Sequence, residues 1–141
     1  MYSYAEKKAR SFVTIMVVVA SAALLLRFAI VHIIKFSISY NESNAAATLK
    51  LISTAFENYA KDHLGAFPTD FSQLVEEDPP YLDKNYIAHS PVRGYNYSCS
   101  RVEQSGYNCT ALPIRCNLTG KTIYTITTGG IFVSEACSKK E

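Results

Sequence analysis

Apolar residues change their spacing along this chain, and each change marks a new element. Phe12 to Leu26 is an unbroken apolar run without a charge. Arg27 interrupts it, and Phe28-Ala-Ile-Val31 with Ile33-Ile34 continue it up to Lys35. From Phe12 to Ile34 is about 23 residues, which at about 1.5 Å of rise each span a hydrocarbon core of roughly 30 Å. Neither Gly nor Pro occurs between Met1 and Gly65, so nothing local ends the helix where the run ends. Beyond Asn44, Leu49, Ile52, Phe56, Tyr59 and His63 recur at steps of three and four, one face of a helix. The pattern predicts one continuous helix from Phe12 to Leu64, with Gly65 as its C-cap and Pro68 soon after.

The remaining spacing is shorter. Phe67 to Val75 reads as a loop and a short helix, with Thr69 or Asp70 as N-cap and Phe71, Leu74 and Val75 turned inward. Glu76-Glu-Asp-Pro-Pro80 ends that helix, and Tyr81 to Pro91 reads as an irregular connection. Tyr95, Tyr97 and Cys99 then alternate with Asn96, Ser98 and Ser100, the period of a half-buried strand. Glu103 to Gly106 is a turn, and Tyr107, Cys109 and Ala111 alternate on the way back towards Pro113, an edge or strand end. Thr122 to Ile126 is β-branched and aromatic, and Gly129-Gly130 turns it into Ile131-Phe-Val133. Two hairpins predict an antiparallel sheet of about four strands, one face of which covers the amphipathic half of the helix. The fold class is α+β.

Length supports that assignment. Of the 141 residues, about 75 follow the long helix, too few to bury a large core alone. The amphipathic half must complete the core. A net charge of +2 with scattered basic residues gives no footprint for nucleic acid. Lys7, Lys8 and Arg10 precede the apolar run and predict a cytoplasmic N-terminus with the C-terminal part sent across the membrane. A cleaved signal peptide is the competing reading; the run's length and its direct passage into amphipathic helix disfavour it. All four cysteines, Cys99, Cys109, Cys116 and Cys137, lie in the part sent across, as disulfides in an oxidising compartment require. Four cysteines allow three connectivities; the expected neighbouring strands of Cys99 and Cys109 favour Cys99–Cys109 with Cys116–Cys137.

This order of elements resembles type IV pilins and type II secretion pseudopilins, and the resemblance covers nearly the whole chain. Ser11-Phe-Val-Thr-Ile-Met16 with the apolar residues after it is similar to that family's cleavage and assembly motif, normally Gly-Phe-Thr-Leu-Ile-Glu. Thr48 to Tyr59 with Phe67-Pro68 resembles the part of pilin-like proteins where the helix meets the head, and Tyr124 to Gly130 resembles their final hairpin. The resemblance implies processing between Ser11 and Phe12, methylation, and assembly through Phe12, Met16 and Arg27. Ser11 stands where the prepilin peptidase prefers Gly, and Met16 where most members carry a glutamate. A few minor pseudopilins lack that glutamate, so the resemblance implies a minor or divergent subunit, or an uncleaved membrane protein that keeps the fold. The implied partners are copies of the chain or related pilin-like subunits, membrane lipid and the pilus or secretion assembly machinery. The implied division is a leader-like segment over 1–11, a transmembrane and assembly half over 12–40, and a head over 41–141.

Other candidate chemistry is sparse. Arg27 is the one charge inside the apolar run; it can snorkel towards the outer interface or meet a carboxylate or carbonyl of another subunit. His32, His63 and His89 have no ligand-spaced neighbours, and Glu76, Glu77 and Asp78 lack the alternation and glycine of a calcium loop. Asn41, Asn96, Asn108 and Asn117 each open an Asn-x-Ser/Thr triplet. A eukaryotic type II membrane glycoprotein is one reading of them; a Ser/Thr-rich strand domain in a bacterium is the other, which the pilin-like order favours. No nucleophile–base–acid set, phosphate loop or paired carboxylates stand out, so neither an enzyme nor a cofactor is expected. Exposed residues around Arg93 and Lys121 are the candidates for contacts. The competing class is a solitary membrane-anchored binding domain that does not polymerise.

Overall fold

The computed structural model describes the backbone of residues 2–138 and the side chains of residues 11–138; Lys7, Lys8 and Arg10 therefore lie outside the described side chains. Helix α1 runs from Tyr2 to Asp62 without interruption. It begins ten residues before the expected start, so residues 2–11 of the leader-like segment are helical too. With no Gly or Pro ahead of Gly65, nothing there favours another backbone. Two compact units divide the chain, residues 1–36 and 37–141.

In the second unit the helical period is realised as packing. Ala45, Leu49, Ile52, Ala55, Phe56, Tyr59 and Ala60 are buried, and His63 stacks on Tyr59 with ring centroids 3.8 Å apart. The C-terminus of α1 differs from the expectation by a residue or two. Gly65 N–H closes back on the Ala60 carbonyl at 2.7 Å, the long bond of a Schellman-type stop. That bond puts the left-handed C′ position at Leu64 (φ 59°), while Gly65 (φ 89°) is one residue further on. Leu64 is fully exposed and pays backbone strain with no packing in return. Leu64→Gly should raise head stability by about 0.5–1 kcal/mol, read as a higher thermal midpoint. An unchanged or lower midpoint would show that Leu64 is not strained.

Helix α2 is Gln73–Glu76; Ser72, just ahead of it, already has helical backbone and makes no side-chain capping bond. The Asp70 carboxylate makes the expected capping contact: it accepts from Ser72 N–H at 2.8 Å and Ser72 O–H at 2.6 Å, and the Gln73 side chain accepts in turn from Asp70 N–H at 3.4 Å. Phe71 and Leu74 are buried as expected. The Leu74 carbonyl accepts from both Tyr81 and Leu82 N–H, fastening the acidic Pro-Pro turn to α2.

Strands β1 (Tyr95–Glu103), β2 (Gly106–Pro113), β3 (Thr122–Thr127) and β4 (Ile131–Ala136) form one antiparallel sheet in the order β1-β2-β3-β4. Glu103 pairs with Gly106, leaving a two-residue turn, and Thr128–Gly130 make a tight 3₁₀ turn with Gly129 and Gly130 at positive φ. Tyr95, Tyr97, Tyr107, Cys109, Ala111 and Ile126 line the inner face and share one core with the buried side of α1. Phe56 stacks on Tyr107 with centroids 4.3 Å apart and 8° between planes, and meets Phe71 edge-on at 5.9 Å. The α+β layout of a long helix packed on four strands is thus the observed one. Cys99 is bonded to Cys109, directly opposite it in the β1–β2 ladder, and Cys116 to Cys137, tying the β2–β3 connection to the segment after β4.

Candidate functional site

The first surface of interest belongs to residues 11–36. Every side chain from Ser11 to Ile33 is exposed, with Leu25 at 70% and Phe36 at 76%. A helix that is apolar on all sides is not a stable object in water. Its length and composition are those of a membrane span. The polar atoms fit that environment: the Ser21 hydroxyl donates to the Val17 carbonyl at 2.6 Å, so it needs no partner from solvent. Phe12 and Met16 lie on this exposed surface, and the Ser11–Phe12 bond is within helical backbone. Arg27 shares a shallow groove with Leu24, Phe28 and Val31. Among the described residues it has no carboxylate partner, and no Asp or Glu occurs from Ser11 to Ser39. The two readings of Arg27 both need a partner outside this stretch.

The second surface is the seam between the Ser37–Asp62 part of α1 and the sheet, where polar groups do work that spacing did not announce. Near one end, Glu42 accepts from Lys121 N–H at 2.7 Å and Thr122 O–H at 3.2 Å, and Asn41 donates to the Thr119 carbonyl at 2.9 Å. Near the other, Glu57 accepts from Tyr107 O–H at 3.0 Å and Gly129 N–H at 2.9 Å, and Ser53 bonds the same phenol at 2.7 Å. These helix carboxylates hold the β3 start and the β3–β4 turn against α1. Glu42, Ser53, Glu57 and Tyr107 were absent from the sequence-based candidates. Their one signal is that Ser53 and Glu57, one helical turn apart, flank the apolar stripe.

Burial pushes the Tyr107 hydroxyl up from 10.0 to about 12, with the Ser53 bond opposing and the Glu57 carboxylate adding to the rise. Burial also raises Tyr95, whose hydroxyl donates to the Thr122 carbonyl at 2.8 Å. A raised pKa in the fold means that the neutral phenol is favoured there. The contribution is therefore complete below pH about 10 and is lost as pH rises towards 12 and beyond. Titration should show cooperative unfolding by circular dichroism above pH 10, with Tyr107→Phe shifting the transition. Full tyrosine ionisation near pH 10 in an intact fold would contradict this.

No family model, curated protein or solved structure matches this chain. Its function must therefore be argued from the helix and the head themselves.

The remaining sequence candidates are scattered. His32 is exposed on the apolar surface; His63 lies 3.8 Å from Glu77; His89 sits against the Asn85 carbonyl at 2.7 Å. Glu76, Glu77 and Asp78 are exposed together at the C-terminal end of α2. Among the described residues no group of three or more His, Cys, Asp or Glu is arranged to hold a metal ion. Of the four Asn-x-Ser/Thr triplets, Asn96 and Asn117 are exposed. The Asn41 amide is engaged with Thr119, and Asn108 buries its Oδ1 without a partner. Arg93 donates to the Tyr40 hydroxyl at 3.0 Å and to Asn44 Oδ1, whereas Lys121 meets α1 through its backbone N–H.

Proposed function

We propose that this chain is a structural subunit of the type IV pilin and type II secretion pseudopilin class, a minor or divergent one, anchored in a membrane before assembly. The observation that carries the proposal is the sequence of duties along α1. One uninterrupted helix exposes apolar side chains from Phe12 onward and then buries Leu49, Ile52, Phe56 and Tyr59 in the core of a small disulfide-bonded head. Before assembly the apolar stretch lies in lipid, with the head on the oxidising side. In a filament the same side chains pack against those of neighbouring subunits. Lipid tails and leucines are equally apolar, so this exchange costs little hydrophobic energy, and packing geometry and Arg27 decide partner choice.

Ser11 and Met16 favour a second reading, a solitary membrane-anchored binding domain, because they replace the residues used for processing and for the assembly carboxylate. Intact mass of the chain purified from the membranes of its own cells separates the two. A mature N-terminus at Phe12 is expected for the subunit, and a chain intact from Met1 would overturn that reading in favour of the solitary anchor.

A further inference from the structure

Within the head, a recess of about 190 Å³ opens between the first turns of its helical part and the connection that leads into β1, and cations rather than acids guard it. Asn44 and Thr48 form its helix side, Lys84 and Tyr86 come from the irregular connection, and Arg93 and Tyr97 close it. No Asp or Glu lines it, and among the described residues neither Lys84 nor Arg93 is in an ion pair. Asp83, next to Lys84 in sequence, is turned to the Tyr86 hydroxyl at 3.4 Å.

Arg93 is held ready. Its Nη1 donates to the Tyr40 hydroxyl and to Asn44 Oδ1, and its guanidinium lies 5.5 Å from the Tyr40 ring centroid. Those bonds use one nitrogen and, among the described residues, leave Nε and Nη2 without a hydrogen bond. These two make the edge of a guanidinium that takes two oxygens of an oxyanion at once. Both Arg93 (φ 47°) and Gly94 (φ 79°) have left-handed backbone. A non-glycine residue rarely adopts that conformation without reason. Lys84 lies over the Tyr86 ring at 4.9 Å, its ammonium unpaired.

We propose that this recess binds a phosphate group, with the Nε/Nη2 edge of Arg93 taking two of its oxygens and Lys84 a third. Two unpaired cations, one of them pre-oriented, suit a tetrahedral anion with several acceptor oxygens better than a planar carboxylate. The recess is too small for a drug-sized ligand. It could receive a soluble phosphoester or the headgroup of an anionic lipid. Tyr40, which braces Arg93, follows Ile34, the end of the apolar run, by six residues of chain, within reach of a headgroup layer when that run is in lipid. Only that lipid source rests on the membrane reading above; the phosphate chemistry does not.

Calorimetry on the full chain in a maltoside detergent tests this, with inorganic phosphate and dihexanoyl phosphatidylglycerol as probes and sodium chloride at matched ionic strength as the blank. Saturable binding of at least one probe is expected. Lys84→Gln should weaken it about fivefold and the Lys84→Gln, Arg93→Gln pair at least about tenfold. Arg93 also braces Tyr40 and Asn44, so the Lys84 variant, whose side chain holds no other element, keeps the test clean if the pair folds poorly. Tighter binding of the lipid assigns the site to a headgroup, and tighter binding of inorganic phosphate to a soluble phosphoester; either supports the proposal. No saturable binding of either probe, or unchanged affinity in Lys84→Gln, overturns it. Cleavage after Ser11 would be unaffected by any of these results, so the two proposals fail separately.

Discussion

Replacing Phe56 by alanine should cost the head about 3–5 kcal/mol, a large part of the 5–15 kcal/mol that an ordinary domain possesses. Phe56 is completely buried and stacks on Tyr107 of β2 while meeting Phe71 ahead of α2 edge-on. It joins α1 to both the sheet and the segment leading into α2. Truncation leaves a cavity between rigid partners and also loosens the Tyr107 hydroxyl from Ser53 and Glu57. The disulfides Cys99–Cys109 and Cys116–Cys137 do not bridge α1 to the sheet, so they cannot compensate. Chemical denaturation of the detergent-solubilised chain, followed by circular dichroism, reads the loss. A cost below about 1 kcal/mol would mean that the helix is not integral to the head core.

The second large effect concerns the apolar run and depends on angle as well as depth. Ala22 and Ala23 are adjacent, both exposed and both near the middle of the stretch from Phe12 to Ile34. An aspartate there costs about 3 kcal/mol of insertion free energy. Ala22→Asp places that charge roughly 140° around the helix from Arg27, at 3.6 residues per turn, where the two cannot meet. Ala23→Asp places it one turn before Arg27, in the orientation that favours a helical ion pair. Ala22→Asp should therefore cut membrane insertion roughly a hundredfold relative to the parent, and Ala23→Asp much less. Equal loss in both would mean that Arg27 is drawn away to the interface. No loss in either would mean that this stretch does not lie in lipid.

How much of this could be read in the residues varies with the range of the interaction. The step of three and four from Leu49 to Tyr59, and the alternation of Tyr95, Tyr97, Tyr107, Cys109 and Ala111, are imprinted by burial on one face. They survive as pattern and locate the core correctly. Helix ends were less legible. The start at Tyr2 lacks any cap residue to announce it, and at the other end Leu64 takes the left-handed position although Gly65 stands beside it. The cap ahead of α2 was legible, because Asp70 meets the Ser72 N–H two residues on, a contact of short range. Least legible were Glu42 and Glu57, which on a helix otherwise look like solvated charges. Their partners, Lys121 and Gly129 N–H, are about 70–80 residues away in sequence and come within reach only once the sheet has docked. The same is true of Arg93, whose braces Tyr40 and Asn44 belong to the helix.

Hydrogen exchange read by mass spectrometry, on the full chain in lipid nanodiscs, tests the double duty of α1 most directly. Two protected stretches are expected: residues 12–34, shielded by lipid, and residues 45–60, shielded by the sheet, with Leu64, Glu77 and Asp78 exchanging freely. Fast exchange across 12–34 in the presence of lipid, with 45–60 still protected, would contradict the account: the head would stand, and its anchor would not be this helix.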